Sequence, residues 1–278
     1  MMKRLQREFD FSIDNYPALP RLKGLMITGT DTGVGKTLIA GAIAQYLRRK
    51  GRRVGVFKPV ASGCRRRREG LFSEDGEFLS ACADSMQSLS DVVPICLGPA
   101  LAPNVAAARS GRKMDLNMIF EAYRRMEGSH DVVIVEGVGG LLCPITDAFW
   151  VIHFARMIQL PLVIIARPGL GTLNHTLLTI HAARSAGLTV AGVIVNGYQI
   201  EPHRQEQLRT VSRAASEAQS IDSELSMLSN PEQIARLGKV DVLTIVPQEA
   251  DNSVQHAMLG KDTQFAISQV AWEELAER

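Results

Sequence analysis

Gly29-Thr30-Asp31-Thr32-Gly33-Val34-Gly35-Lys36-Thr37 lies between two apolar segments of different character. Before it, Leu25-Met26-Ile27 reads as a strand. After it, Leu38-Ile39-Ala40-Gly41-Ala42-Ile43-Ala44 reads as a helix. Strand, glycine-rich turn, Gly-Lys-Thr and helix is the context of a phosphate-binding loop. Glycines let backbone amides close around phosphate oxygens with no Cβ in the way. The helix beginning near Lys36 adds the positive end of its dipole. Lys36 can reach the terminal phosphates, and the Thr37 hydroxyl can hold Mg²⁺. Counted back from Gly35, the usual first glycine falls on Thr30, with Gly29 one place earlier, so the loop is a variant of the common pattern.

Working outward, continuous apolar runs mark further strands at Val54–Phe57, Val132–Val135, Leu162–Ala166, Val190–Val195 and Val242–Val246. Unbroken runs, rather than alternating ones, suit a parallel sheet covered on both faces. Helix-like stretches at Leu38–Arg49, Leu116–Met126, Thr172–Ser185 and Pro202–Glu217 lie between them. This alternation predicts an α/β fold: a single-domain, doubly wound, mainly parallel sheet with helices on both faces. Ligands of such sheets bind beyond the carboxyl ends of the strands. Four polar segments follow strand ends and would share that edge. They are the phosphate loop, Lys58-Pro59-Val60-Ala61-Ser62-Gly63, Glu136-Gly137-Val138-Gly139-Gly140 and Asn196-Gly197.

The 278 residues, 46% of them hydrophobic, suffice for one large core. A net charge of +2 points to neither nucleic acid nor membrane as partner. Cys64, Cys82, Cys96 and Cys143 lack metal-ligand spacing and read as free thiols of a reducing, cytoplasmic compartment. No apolar run reaches about 18 residues, so no spanning helix is expected. Residues 1–22 mix both charges without an apolar stretch and read as an extension rather than a targeting signal. Residues 23–252 are expected to form the domain, with 253–278 packed on it. Gly63–Gly76, which holds Arg65–Arg68, reads as a long polar, solvated loop. Ala214–Glu232 reads as an insertion or a partly ordered connection.

Several residues carry candidate chemistry. Glu136 ends an apolar strand, where a carboxylate can join Thr37 in offering Mg²⁺ hard oxygen ligands. Gly137, Gly139 and Gly140 let backbone pass close to phosphate. Asp75 opens a helix-like segment, and an N-cap fits it at least as well as a ligand. Lys58 follows a strand, where a lysine neutralises an anion or is simply solvated. Ser62 shares its loop as a candidate hydrogen-bond donor. Gly169-Leu170-Gly171-Thr172-Leu173-Asn174 begins a helix whose amides suit a carboxylate or phosphate, or is an ordinary loop with a Thr cap.

Taken together, Gly29–Thr37, then Lys58-Pro-Val-Ala-Ser-Gly63, then Val135-Glu-Gly-Val-Gly-Gly140 closely resemble the dethiobiotin synthetase family. Gly171–His175, Ala186–Asn196 and Pro247–Asn252 extend the resemblance from Lys23 to Asn252. It implies an ATP- and Mg²⁺-dependent ligase acting on 7,8-diaminononanoate and CO₂. One amine captures CO₂ as a carbamate, ATP phosphorylates the carbamate, and the second amine closes a cyclic urea with release of phosphate. It further implies Lys58 and Lys36 as catalytic residues, and Thr37, Asp75 and Glu136 as metal ligands. ATP would meet Gly33, Val34, Gly35, Lys36, Thr37, Leu38, Asp75, Glu136, Gly137, Val138 and Gly139. Asn196, Gly197, Pro247, Gln248 and Asp251 would surround the base. Thr32, Ser62, Gly171, Thr172, Leu173 and Asn174 would hold the diamine substrate, the helix-start residues acting across a homodimer interface. Gly33 stands where some members carry a glutamate, and the span from Asn196 to Pro247 is longer than usual. The competing reading is a regulatory or partitioning ATPase of the same fold branch. Such proteins usually carry a lysine where Asp31 and Thr32 stand here. A glutaminase-bearing ligase would need a further domain.

Overall fold

The structure, a computed structural model, describes residues 11–199 and 218–278. Six strands, β1 (Gly24–Gly29), β2 (Val54–Phe57), β7 (Val132–Gly140), β8 (Leu162–Ala166), β9 (Val190–Tyr198) and β10 (Val242–Pro247), form one sheet. Their order is β10-β9-β8-β1-β7-β2, and every pairing is parallel. The expected doubly wound α/β architecture is therefore observed. A short parallel pair, β3 (Val60–Ser62) with β6 (Ile95–Leu97), and an antiparallel hairpin, β4 (Arg65–Arg67) with β5 (Gly70–Phe72), stand beside it.

Side chains of the central strands alternate between two layers. Leu25, Ile27 and Ile134 join Ile39, Ile43 and Leu47 of α1 (Lys36–Arg49). Met26, Val133 and Val135 join Ile119, Phe120 and Tyr123 of α5 (Leu116–Arg124), with Phe154 of α6 (Val151–Ile158). A third cluster, on β8 to β10, takes Ile180 of α7 (Thr172–Ser185) and Ile234 of α8 (Ala218–Gly238). Both faces of the sheet are covered, which is why its strands read as unbroken apolar runs.

Residues 11–22 lie on the second layer. Leu19 is buried, the Tyr16 and Phe149 ring centroids are 4.7 Å apart, and Arg124 donates to the Ala18 carbonyl at 3.2 Å. Residues 261–278 form α9 (Lys261–Ser268) and α10 (Trp272–Ala276) against the α1 layer. Trp272 is fully buried there and donates Nε1–H to the Ile267 carbonyl at 2.7 Å.

Four local expectations need correction. The arginine-rich Gly63–Gly76 is not a loop: it contains the β4–β5 hairpin, with Arg67 stacked 3.5 Å from the Phe72 ring centroid and ion-paired to Glu77. Arg65 pairs with Glu74 at 3.1 Å, so two of the four arginines fasten the hairpin to α2 (Glu74–Ala83). From Ala218 onward, the expected irregular connection is the helix α8. Glu136 does not end β7, and Asn196 does not follow β9; both strands run past them, to Gly140 and Tyr198. The helix expected at Pro202–Glu217 lies outside the described residues.

Candidate active site

The carboxyl ends of β1, β2, β7 and β9 bring the site together. β1 hands the chain to the phosphate loop, where Gly33 and Gly35 take φ of +77° and +91°. Only glycine adopts these angles cheaply. At Gly35 a second constraint applies: an added Cβ would collide with Asn196 Nδ2. Asn196, on β9, donates that amide to the Val34 carbonyl at 2.9 Å. The base-side residue of the sequence reading is thus tied directly to the phosphate loop. Gly197 beside it takes φ +83°.

Lys36 heads α1 and is buried. Its Nζ donates to the Asp31 carbonyl at 2.9 Å, folding the side chain back over its own loop. Burial lowers its pKa, and Lys58 adds to that while Glu136, Cys143 and Asp31 oppose it. Thr37, in the same first turn, donates its hydroxyl to Glu136 Oε1 at 2.8 Å. Thr32 is exposed, with its amide on Asp31 Oδ1 at 2.7 Å. Leu38 is half-buried in the first turn of α1.

Lys58 follows β2 and is 5% exposed. Its ammonium stands 2.6 Å from Glu136 Oε1 and 2.6 Å from Asp75 Oδ2. Burial alone would lower the Lys58 pKa, but the two carboxylates outweigh it and raise it, so the amine stays charged. Burial raises the Glu136 carboxyl, Lys58 opposes, and Asp75 adds to the rise. Asp75 is not the N-cap of α2: Ser73 is, accepting the Gly76 amide at 3.2 Å. Asp75 instead is the second residue of the helix, in its first turn, and faces Lys58.

Lys58 and Lys36 balance the two carboxylates in charge, so a further cation is favoured by oxygen atoms left without a partner rather than by net charge. Glu136 Oε2 is buried with no hydrogen-bond partner. Its unused lone pairs, the Asp75 carboxylate and the Thr37 hydroxyl are the hard oxygen donors Mg²⁺ prefers. Among the described residues no three His, Cys, Asp or Glu side chains gather as a metal site. A cation here would therefore also take the hydroxyl, water and phosphate oxygens, as Mg²⁺ commonly does.

Gly137, Val138 and Gly139 continue β7 past Glu136. Gly139 takes φ +60°, and a Cβ there would lie 2.9 Å from Cys143 Sγ and 3.8 Å from Thr32 Oγ1. Ser62 is half-buried on β3. Gly171, not Thr172, is the N-cap of α7, with φ +89°. Thr172 is buried, with its amide on the Gly169 carbonyl at 3.2 Å and its hydroxyl on Thr176 at 3.4 Å. Leu173 is half-buried and Asn174 exposed at the helix start. Pro247 ends β10, Gln248 donates its amide to the Tyr198 carbonyl at 2.8 Å, and Asp251 is exposed. Glu249 caps α9 through the Asp262 and Thr263 amides, which fixes the loop after β10.

The structure gathers Lys36, Thr37, Lys58, Asp75 and Glu136 into one cluster with Asn196 beside it. Gly171–Asn174 and Pro247–Asp251 stand on the same edge, outside the cluster. Sequence reasoning passed over Arg167. It directly follows β8, so the strand-end rule that found Lys58 points to it as well. A cavity of about 300 Å³, lined by Asp31, Cys143, His175 and Leu178 among others, opens between the phosphate loop and α7.

A family model described as an AAA domain matches residues 23–255. The ATP-dependent dethiobiotin synthetase BioD of Bacillus subtilis (strain 168) is 35% identical over 230 residues, covering 83% of this chain and 89% of that protein. Its namesake from Bacillus cereus (strain ATCC 14579) is 36% identical over 255 residues, covering 88% and 95%. Among solved structures, the MinC:MinD cell division complex of Aquifex aeolicus aligns with a TM-score of 0.53 at 15% identity, covering 92% of this chain and 97% of that one. The septum site-determining protein MinD of Pyrococcus horikoshii, complexed with Mg-ADP, gives 0.51 at 15%, covering 92% and 94%. The structural matches show a shared fold; the sequence matches carry family. Aligned over most of its length at more than a third identity, the chain belongs to the ATP-dependent dethiobiotin synthetase family.

Proposed function

We propose that the protein converts 7,8-diaminononanoate, CO₂ and ATP to dethiobiotin, ADP and phosphate. The observation that carries this reading is the Lys58 ammonium held 2.6 Å from both Glu136 and Asp75, beside the phosphate loop. A phosphate loop alone serves many NTPases. A second buried lysine, charged and aimed at the same edge, suits a reaction with a second anion to hold.

In that reading an amine of the substrate attacks CO₂, loses a proton and becomes a carbamate. A carbamate oxygen displaces ADP from the γ-phosphorus of ATP, giving a carbamic–phosphoric anhydride. The other amine attacks its carbonyl, phosphate leaves, and the ring closes. Lys58 binds the carbamate and the transferring oxygens. Lys36 leaves the Asp31 carbonyl to meet the phosphates. Thr37, Asp75 and Glu136 would hold Mg²⁺, which when bound offsets charge on the phosphate oxygens. Such catalysis is positioning and charge stabilisation. Asn196 and the loop Pro247–Asp251 flank the base. The start of α7, Gly171–Asn174, receives the substrate carboxylate from a second copy, making a homodimer the working unit. Residues 23–252 form the catalytic domain, with 253–278 completing its α1 layer. ATP as substrate and unpaired thiols fit a cytoplasmic setting; no helix among the described residues is long and apolar enough to cross a membrane.

The test is ADP release from MgATP and bicarbonate, with and without the diamine, read with product mass. Diamine-dependent release and a product one CO₂ heavier and one water lighter are expected. Turnover indifferent to the diamine would overturn the reading in favour of a regulatory ATPase.

A further inference from the structure

Arg167 joins the two anion-binding segments of the site. It leaves β8 beside β1, where the Thr30 amide donates to the Ile165 carbonyl at 3.0 Å. Its Nη1 faces Asp31 Oδ2 of the phosphate loop at 3.7 Å. Its Nη2 donates to His175 Nδ1, in the first turn of α7, at 2.8 Å. A guanidinium only donates, so His175 Nδ1 is the acceptor. The planar fork reaches both partners at once, holding His175 by a hydrogen bond and Asp31 by a longer ion pair, which a point-like ammonium does less well.

The arrangement adds little to stability. The Arg167 and Asp31 side chains are 43% and 49% exposed, and such pairs are weak. The Arg167 Nε is buried with no partner. Its neighbours, by contrast, are pinned. Asn230 is buried and donates to the carbonyls of Pro168 at 2.7 Å and Gly169 at 3.3 Å. The loop from β8 to α7 is thus held from outside by α8, and Arg167 is its link to the phosphate loop. Asp31, at the other end, accepts Lys36 on its carbonyl and the Thr32 amide on Oδ1. A phosphate that engages Lys36 would draw it from the Asp31 carbonyl and change the hold on the residue that Arg167 faces.

We propose that Arg167 is a positioning residue that transmits occupancy of the phosphate loop through Asp31 and His175 to the start of α7, so that nucleotide and the carboxylate-bearing diamine bind cooperatively. The second half of this inference rests on the synthetase reading; the first does not.

The test compares the full chain with Arg167→Ala, Arg167→Lys and Asp31→Ala, using a non-hydrolysable MgATP analogue at saturation. Hydrogen exchange at residues 171–175 needs no diamine. The analogue should slow it in the wild type and leave it unchanged in Arg167→Ala, with the melting temperatures of the two proteins alike. Diamine affinity should rise at least about tenfold with the analogue in the wild type, within the usual range of site coupling. Arg167→Ala should lose that factor, Arg167→Lys should restore it in part, and Asp31→Ala with Arg167→Ala should be no worse than Asp31→Ala alone. Equal protection of α7 in wild type and Arg167→Ala, or none in either, overturns the inference. Nucleotide-dependent protection that needs Arg167, in a protein that never binds the diamine, supports the coupling and rejects the synthetase reading instead.

Discussion

Lys58 Nζ and Glu136 Oε1 stand 2.6 Å apart inside the protein, one from the end of β2 and the other from the middle of β7. These strands are neighbours, with Phe57 paired to Val135, so adjacent register alone sets the two residues side by side. Each offsets part of the other's cost of burial, with Asp75 as a second partner of Lys58.

Lys58→Ala should lower turnover by about 10²–10³ while the protein still folds, a loss of the size seen when a charge-stabilising donor is removed. Product formation under saturating substrates measures it; near-normal activity would remove Lys58 from the mechanism.

The same variant makes a pH prediction. Burial already raises the Glu136 carboxyl above its ordinary 4.5, and loss of Lys58 raises it further. A carboxyl whose folded pKa exceeds its unfolded value contributes stability below the unfolded pKa and loses it as pH rises through the folded pKa. The melting-temperature deficit of Lys58→Ala should therefore be smaller at about pH 5 than at about pH 8. Thermal scans at the two pH values decide it, and an equal deficit would contradict a buried, stranded Glu136.

Glu136→Gln keeps the shape and removes the anion. The Mg²⁺ concentration needed for half-maximal turnover should rise at least about tenfold, since even outer partners of a metal cost that much. An unchanged metal titration would show that Glu136 is not a ligand.

Gly35→Ala meets two obstacles, a φ of +91° and the Asn196 amide. A non-glycine residue at such an angle costs about 1–2 kcal/mol before any collision. Calorimetry should show a large loss of nucleotide affinity in Gly35→Ala. Thermal unfolding without nucleotide should show Gly35→Ala with Asn196→Ala more stable than Gly35→Ala, because the collision is relieved while the backbone cost remains. No difference between the two would leave the angle as the whole effect.

Trp272→Ala tests the C-terminal helices separately from the chemistry. Truncating a fully buried tryptophan should cost about 3–5 kcal/mol. Denaturant unfolding measures the loss, and KM for both substrates should stay near the wild-type value.

Much of this was legible in the chain itself. The phosphate loop, the six strands and their parallel pairing follow from local signals: glycines where φ is positive, Gly-Lys-Thr at a helix start, and apolar runs that can only be buried on both faces. Lys58 and Glu136 were legible for the same reason, because a polar residue at the end of such a run has one edge to occupy. The charge run Arg65–Arg68 is solvent-exposed as read, but its strand pairing was not legible, because its partners Glu74, Glu77 and Phe72 are set by a hairpin turn that composition does not reveal.

Tertiary structure alone decided the rest. Asp75 reads as a helix cap in sequence, and it faces Lys58 only because Ser73 takes the cap and α2 packs on β2. Asn196 meets Val34, and Arg167 meets Asp31 and His175, across separations of sequence that no local pattern spans. Periodicity and turn chemistry act over a few residues, so the sequence by itself determined the elements and their edge. Which side chains meet at that edge depends on strand order and register, and those are settled only when the whole sheet closes its two layers.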